Sequence, residues 1–158
     1  MASSITHIEP MPKASVRAAA DTNAAAALGL TFGSAERRGD TLVVRIRPDE
    51  WYLLGDGAAP MVHGLDLTGY ASTVDITHAR HAVRVTGSHA AETLAKLCSA
   101  DFGDAMTPNG AAWGNSIAGV TCDLVRDDHN GERSYLLLFD GSFASYVLRT
   151  LEDAAAEF

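Results

Sequence analysis

Residues 72–102, STVDITHARHAVRVTGSHAAETLAKLCSADF, read as two strands, a tight turn and a helix in immediate succession. Val74 and Ile76 alternate with Asp75 and Thr77. His81, Val83 and Val85 then alternate with Arg80, Ala82, Arg84 and Thr86, the period of two of half-buried strands. Thr86-Gly87-Ser88 closes the second strand, because Gly permits a sharp turn and Ser88 is placed to accept a hydrogen bond from an amide of the next helix. In that helix Ala91, Leu94, Ala95 and Cys98 fall at i, i+3, i+4 and i+7, an apolar stripe that suits a sheet. Helix N-termini also bind anions. Here a single Gly, with no Lys after it and no Gly-x-Gly-x-x-Gly, favours a plain turn.

Upstream, Leu42, Val44 and Ile46 alternate with Val43, Arg45 and Arg47, which predicts a hairpin over residues 28–47 with the charged residues 36–40 as its loop. Pro48 ends that strand and Trp51-Tyr52-Leu53-Leu54 resumes an extended run. Met61, Val62 and Leu65 predict a short helix within residues 55–69. Downstream, residues 102–113 read as a loop. Residues 116–126 read as one strand with a bulge at Gly119, since Ile117 is out of phase with Val120, Cys122 and Leu124. A turn at Asn130-Gly131 leads to Tyr135-Leu136-Leu137-Leu138-Phe139, apolar on both faces and so a central strand. A closing helix from Ser142 carries Phe143, Val147, Leu151, Ala154 and Phe158 along one side.

The order of elements predicts an α+β fold, a mostly antiparallel sheet with its helices on one face. Residues 1–27 hold Pro10, Pro12 and an Ala run without apolar periodicity. They are expected to form an N-terminal arm that a partner orders, with residues 28–158 as a single domain. A chain of 158 residues is long enough to bury a substantial core. Its 12 basic and 20 acidic residues, net charge −8, argue against nucleic-acid and anionic-membrane partners. Cys98 and Cys122 lack CxxC spacing and read as buried free thiols of a reducing compartment. With no signal-peptide pattern and no apolar run of membrane-spanning length, the expected location is the cytoplasm.

The segment VDITHARHAVRVTGSHAAETLAKLCSADF resembles the core of the gamma subunit of heterotetrameric sarcosine oxidases and, more distantly, the folate-binding domain of aminomethyltransferases. Residues 47–54, RPDEWYLL, resemble that subunit's Pro-Asp-Glu-Trp-Leu-Leu signature, and residues 142–146 with 151–158 resemble its closing helix. Residues 106–113 depart from it, keeping only Pro108 and Gly110 of a Phe-Pro-Pro-Gly pattern. The resemblance implies the aminomethyltransferase folate-binding-domain fold. It implies membership of a flavin-dependent complex that oxidatively demethylates sarcosine or a related N-methyl amino acid and passes the one-carbon unit to tetrahydrofolate. Alpha, beta and delta subunits are the implied partners, with FAD, FMN, NAD, tetrahydrofolate and zinc expected on them and no cofactor in this chain.

The residues themselves point the same way. Six histidines are scattered, and the one close pair, His78 and His81, straddles a change of strand without a Cys partner, so a zinc site is not expected. Asp75 beside Thr77 and His78 suggests acid–base chemistry, but its place on a strand's polar face favours a solvated or hydrogen-bonding role. There is no Gly-x-Ser-x-Gly elbow and no Walker loop. A non-catalytic subunit needs contact surface, and aromatic side chains are enriched at interfaces. Trp51, Tyr52, Phe102 and Trp113 are therefore the candidate contact residues, with burial in the chain's own core as the competing reading. The alternatives are a stand-alone folate-binding or aminomethyltransferase-like protein, and a small-ligand sensor.

Overall fold

A computed structural model describes residues 3–158, which divide into two compact units, one of residues 10–77 and one of residues 3–9 with 78–158. In the first, β2 (Lys13–Ala18), α1 (Asn23–Leu28), β3 (Ser34–Arg38), β4 (Thr41–Arg47), β5 (Glu50–Leu54), α2 (Ala58–His63) and β6 (Ala71–Asp75) follow one another. The second joins β1 (Ser4–His7) to β7 (Arg80–Thr86), α3 (Ala90–Ala95), β8 (Ala112–Ile117), β9 (Val120–Arg126), β10 (Ser134–Asp140) and α4 (Ala144–Ala155). The α+β expectation holds, and every strand pairing is antiparallel.

Both units repeat one plan. The sheet orders are β3-β4-β5-β2-β6 and β8-β9-β10-β7-β1, with the helices following the corresponding strands. The last-named edge strand of each sheet directly precedes a strand of the other unit in sequence. Thus β6 leads into β7 but pairs with β2, while β1 leads into β2 but pairs with β7. The two strands of residues 72–86 are consequently in different sheets.

Several expectations are corrected. Residues 3–27 are not an arm, since they supply β1, the central strand β2 and helix α1. That helix is capped by Thr22, whose Oγ1 accepts the Ala25 N–H at 3.2 Å. Residues 28–158, expected as a single domain, fall across both compact units, which meet in the chain at residues 9/10 and 77/78. Residues 116–126 are not one bulged strand. Ala118 and Gly119 take φ of +52° and +83°, the two-residue turn that matches the twist of a hairpin, and β8 folds back on β9. The hairpin expected over residues 28–47 begins at Ser34, because Leu28 closes α1. Helix α3 starts after His89, with the Ala90 N–H on the Gly87 carbonyl.

The core of the first unit gathers Val16, Val43, Trp51 and Leu53 beneath Ala24, Leu28 and Ala58 of the helices. In the second, Val83, Val85, Leu124, Leu137 and Phe139 pack against Leu94 of α3 and Val147 and Leu151 of α4. Each sheet thus carries its helices on one face, where its alternating apolar residues point.

Candidate subunit interface

The four aromatic candidates are where the sequence placed its expectation of contact, and the fold moves three of them inside. Trp51 is 1% exposed, its Nε1 donates to the Gly29 carbonyl at 2.8 Å, and the Arg45 guanidinium lies 4.8 Å from its ring centroid. Tyr52, on the opposite face of β5, is also buried, and its Oη lies 3.4 Å from Arg47 Nη1. Phe102 sits edge-on to Tyr135 at 5.6 Å and against the half-buried Trp113 at 5.6 Å. The physical reason is topological. Strand β5 is a central strand whose residues 50–54 are all buried, Trp51 and Leu53 against the helices, so both faces of the Trp-Tyr-Leu-Leu run are interior. Trp51, Tyr52 and Phe102 are core residues, and only Trp113 retains exposed area.

The charged residues are assembled into networks. Ser15 Oγ donates to Glu50 Oε2 at 2.6 Å and Arg47 Nη1 to Glu50 Oε1 at 2.8 Å, which meets the requirement that a buried carboxylate be hydrogen-bonded and paired. Arg84 pairs with Asp127 at 2.8 Å. Arg126, itself buried, donates to Asp104 at 2.6 Å, Asp128 at 3.0 Å and the Thr107 carbonyl at 2.8 Å, while Arg133 reaches Asp104 at 2.7 Å. Hydrogen bonding to Asp128 pushes the Arg126 ionisation further up, and Arg126 in turn holds the Asp104 carboxyl below its ordinary range. These arrangements strap loops to sheets, and each acid is matched to a cation.

The remaining reactive groups are equally committed. Cys98 and Cys122 are buried free thiols, and burial pushes Cys122 up to about 12, so it stays protonated near neutral pH. Asp75 Oδ1 accepts the Thr77 N–H at 2.9 Å, the local turn-forming role. The histidine contact that forms is His7 with His81, ring centroids 4.9 Å apart, rather than His78 with His81. Among the described residues, no three His, Cys, Asp or Glu side chains gather closely enough to hold one metal ion.

Exposed apolar area lies elsewhere. Tyr70 is 89% exposed and Val74 59%, and both lie on the same side of the extended segment that contains β6. Alternation identifies Val74 as one of a pair of facing positions but does not say which face is covered. Phe158 and Tyr146 are also partly exposed but already engaged. Phe158 stacks on His89 at 4.9 Å with Lys96 Nζ 4.3 Å from its ring, and Tyr146 Oη donates to the Ala118 carbonyl at 2.8 Å. The sequence signal for Tyr70 was its position after Gly69 at a strand start, two residues before the stretch that decides the fold.

Residues 8–157 match the family described as sarcosine oxidase, gamma subunit. A search of curated proteins finds no match. Among solved structures, the fold is similar to a chain of the heterotetrameric sarcosine oxidase from Corynebacterium sp. U-96 in complex with pyrrole 2-carboxylate. The TM-score is 0.86 at 22% identity, covering 99% of this chain and 85% of that one, a likeness of fold.

Proposed function

The chain belongs to the sarcosine oxidase gamma subunit family, and from that premise we propose that it is a non-catalytic subunit of a heterotetrameric, flavin-dependent complex acting on sarcosine or a related N-methyl amino acid. Its role is to pack against alpha, beta and delta subunits and hold their geometry. FAD, FMN, NAD, tetrahydrofolate and zinc are assigned to those partners, and the complex to the cytoplasm. The family match over residues 8–157 carries the reading. The ionisable groups support it, being matched to one another within loop-fastening networks. A stand-alone folate-binding role is not favoured, since the match is to the gamma subunit family.

The test is to purify the tagged chain from its native source under mild conditions and record mass and visible absorption together. The expected result is a large co-purifying assembly with flavin absorption that bleaches on addition of sarcosine or another N-methyl amino acid. A colourless monomer overturns the reading. Micromolar binding of tetrahydrofolate by the isolated chain would transfer support to the folate-binding alternative.

A further inference from the structure

The chain contains four asparagines, at positions 23, 109, 115 and 130, and the structure occupies the side-chain amides of the first three. Asn23 Nδ2 donates to Asp66 Oδ2 at 2.7 Å, Asn109 Oδ1 accepts the Asp128 N–H at 2.9 Å, and Asn115 Oδ1 accepts the Ser116 N–H at 2.8 Å. Asn130 is exposed, and among the described residues its side-chain amide has no hydrogen-bond partner.

Two of the four, Asn109 and Asn130, precede glycine. That sequence is reactive in principle. The backbone nitrogen after an asparagine can attack the side-chain carbonyl carbon, and a following Gly, having no Cβ, leaves the nitrogen accessible.

The fold separates the two sites. At Asn109-Gly110 the attacking nitrogen is committed, since the Gly110 N–H donates to the Arg126 carbonyl at 2.8 Å. With Asn109 Oδ1 on the Asp128 N–H, both reacting groups are tied to residues 126–128. At Asn130-Gly131, φ of +51° and +78° form a two-residue hairpin turn, closed by His129 and Glu132, each of which donates its N–H to the other's carbonyl at 2.9 Å. The Gly131 N–H takes part in neither bond, and a Cβ built on Gly131 would meet nothing within 4 Å. The left-handed turn does not itself bring the nitrogen to Asn130 Cγ, so attack requires the turn to open. Residues 129–132 are all exposed, and opening breaks only the His129 and Glu132 bonds, the kind of local fluctuation that costs least.

We propose that Asn130-Gly131 is a self-modification site, at which the asparagine is converted to aspartate and isoaspartate. The Gly131 nitrogen bonds to Asn130 Cγ as the Cγ–Nδ2 bond breaks, and ammonia leaves with the proton that the Gly131 nitrogen gives up. A solvent water then opens the cyclic imide at one carbonyl to give aspartate or at the other to give isoaspartate. Either product adds a carboxylate to a stretch that already holds Asp127, Asp128 and Glu132, two residues from the Asp128 that grips Arg126. Isoaspartate also lengthens the main chain of the turn by a methylene, so the His129–Glu132 pair cannot close as it does in the unmodified chain.

The test is to incubate the tagged chain, purified in its assembly, at mildly alkaline pH, which favours loss of the proton from the attacking nitrogen. Deamidated peptides are then mapped by mass over time, and the same incubation is run on the chain unfolded in urea. The expected result is conversion at Asn130 at least tenfold faster than at Asn109 in the folded chain, and the two rates within about threefold of each other in the unfolded chain. An Asn130 that stays unconverted in the folded chain, or an Asn109 that keeps pace with it, overturns the assignment. A rate difference as large in the unfolded chain as in the folded one also overturns it, because the neighbouring sequence and not the fold would then select the site.

Discussion

The Glu9 carboxylate accepts the Ala82 N–H at 2.8 Å, across 73 residues of sequence, and fastens the chain where it leaves β1 alongside β7. The adjacent Ile8 N–H reaches the Ala82 carbonyl at 3.1 Å. With Ser4, Ile5, Thr6 and His7 paired to residues 83–86, residues 3–9 are part of the second unit. Replacing Glu9 by Ala is expected to cost about 1.5–3 kcal/mol, the range for a hydrogen bond to a charged group. Deleting residues 1–9 costs more, because β7 loses a neighbour and Ile5 leaves the core. Urea denaturation followed through Trp113, in a Trp51→Phe background, reads that unit; an unchanged midpoint on deletion would contradict the placement.

Trp51 stabilises from within. Trp51→Phe removes the bond to the Gly29 carbonyl and weakens the Arg45 contact with the ring, together about 1–2 kcal/mol. Recovery of the folded variant in the assembly should match wild type. A loss of assembly without a loss of stability would return Trp51 to the interface.

Cys122 imposes an alkaline limit. Burial raises its folded-state value from 9.0 to about 12, so the thiol's contribution is complete below pH 9 and is lost as pH rises toward 12. Between those limits one proton's difference gives a slope approaching about 1.4 kcal/mol per pH unit. Melting curves from pH 8 to 10.5 should fall more steeply for wild type than for Cys122→Ala, and native Cys122 should resist thiol reagents at pH 8.

At the acid end the sign reverses. Hydrogen bonding from Arg126, then the charge of Arg133, holds Asp104 below its ordinary 3.8. Its contribution is present above the unfolded value and disappears as pH falls through the folded one. Asp104→Asn should flatten the acid limb of the stability curve, and salt should narrow the difference, since Asp104 is exposed. Identical acid limbs would remove Asp104 from the strap.

Gly55 sits at the end of β5 with φ of +117°, and a Cβ there would meet the Asp40 carbonyl oxygen. Gly55→Ala is expected to cost about 2–5 kcal/mol through backbone strain and overlap. Gly39→Ala, at φ +62° with open space around it, should cost about 1–2 kcal/mol. Equal midpoints for the two variants would refute the close approach.

Much of the local structure was legible. The two-faced apolar run at residues 135–139 is the central strand between β7 and β9, and Val147, Leu151 and Ala154 are the buried side of α4. Strand β1 was hidden because it is four residues long with Ser4, Thr6 and His7 outnumbering Ile5. The β8–β9 turn was hidden because Ala118, unlike Asn130-Gly131, does not advertise a positive φ. At the candidate interface, Trp51 and Tyr52 were legible as large aromatics but not as interior ones, since a residue type does not say how many neighbours its strand has.

By itself the sequence determined the periodicities, the turn at Asn130-Gly131, the closing helix and the family, because these depend on residues close together or on ordered blocks of residues. Tertiary structure decided which strands pair. Strands β6 and β7 are separated by four residues, 76–79, yet β6 pairs with residues 14–18 and β7 with residues 4–7 and 134–140. Backbone hydrogen bonds between strands are non-local and nearly independent of side-chain identity, so alternation marks two faces without saying which strand lies alongside. The same pairing left Thr73 and Val74 on an outer edge and enclosed Trp51 between two neighbours.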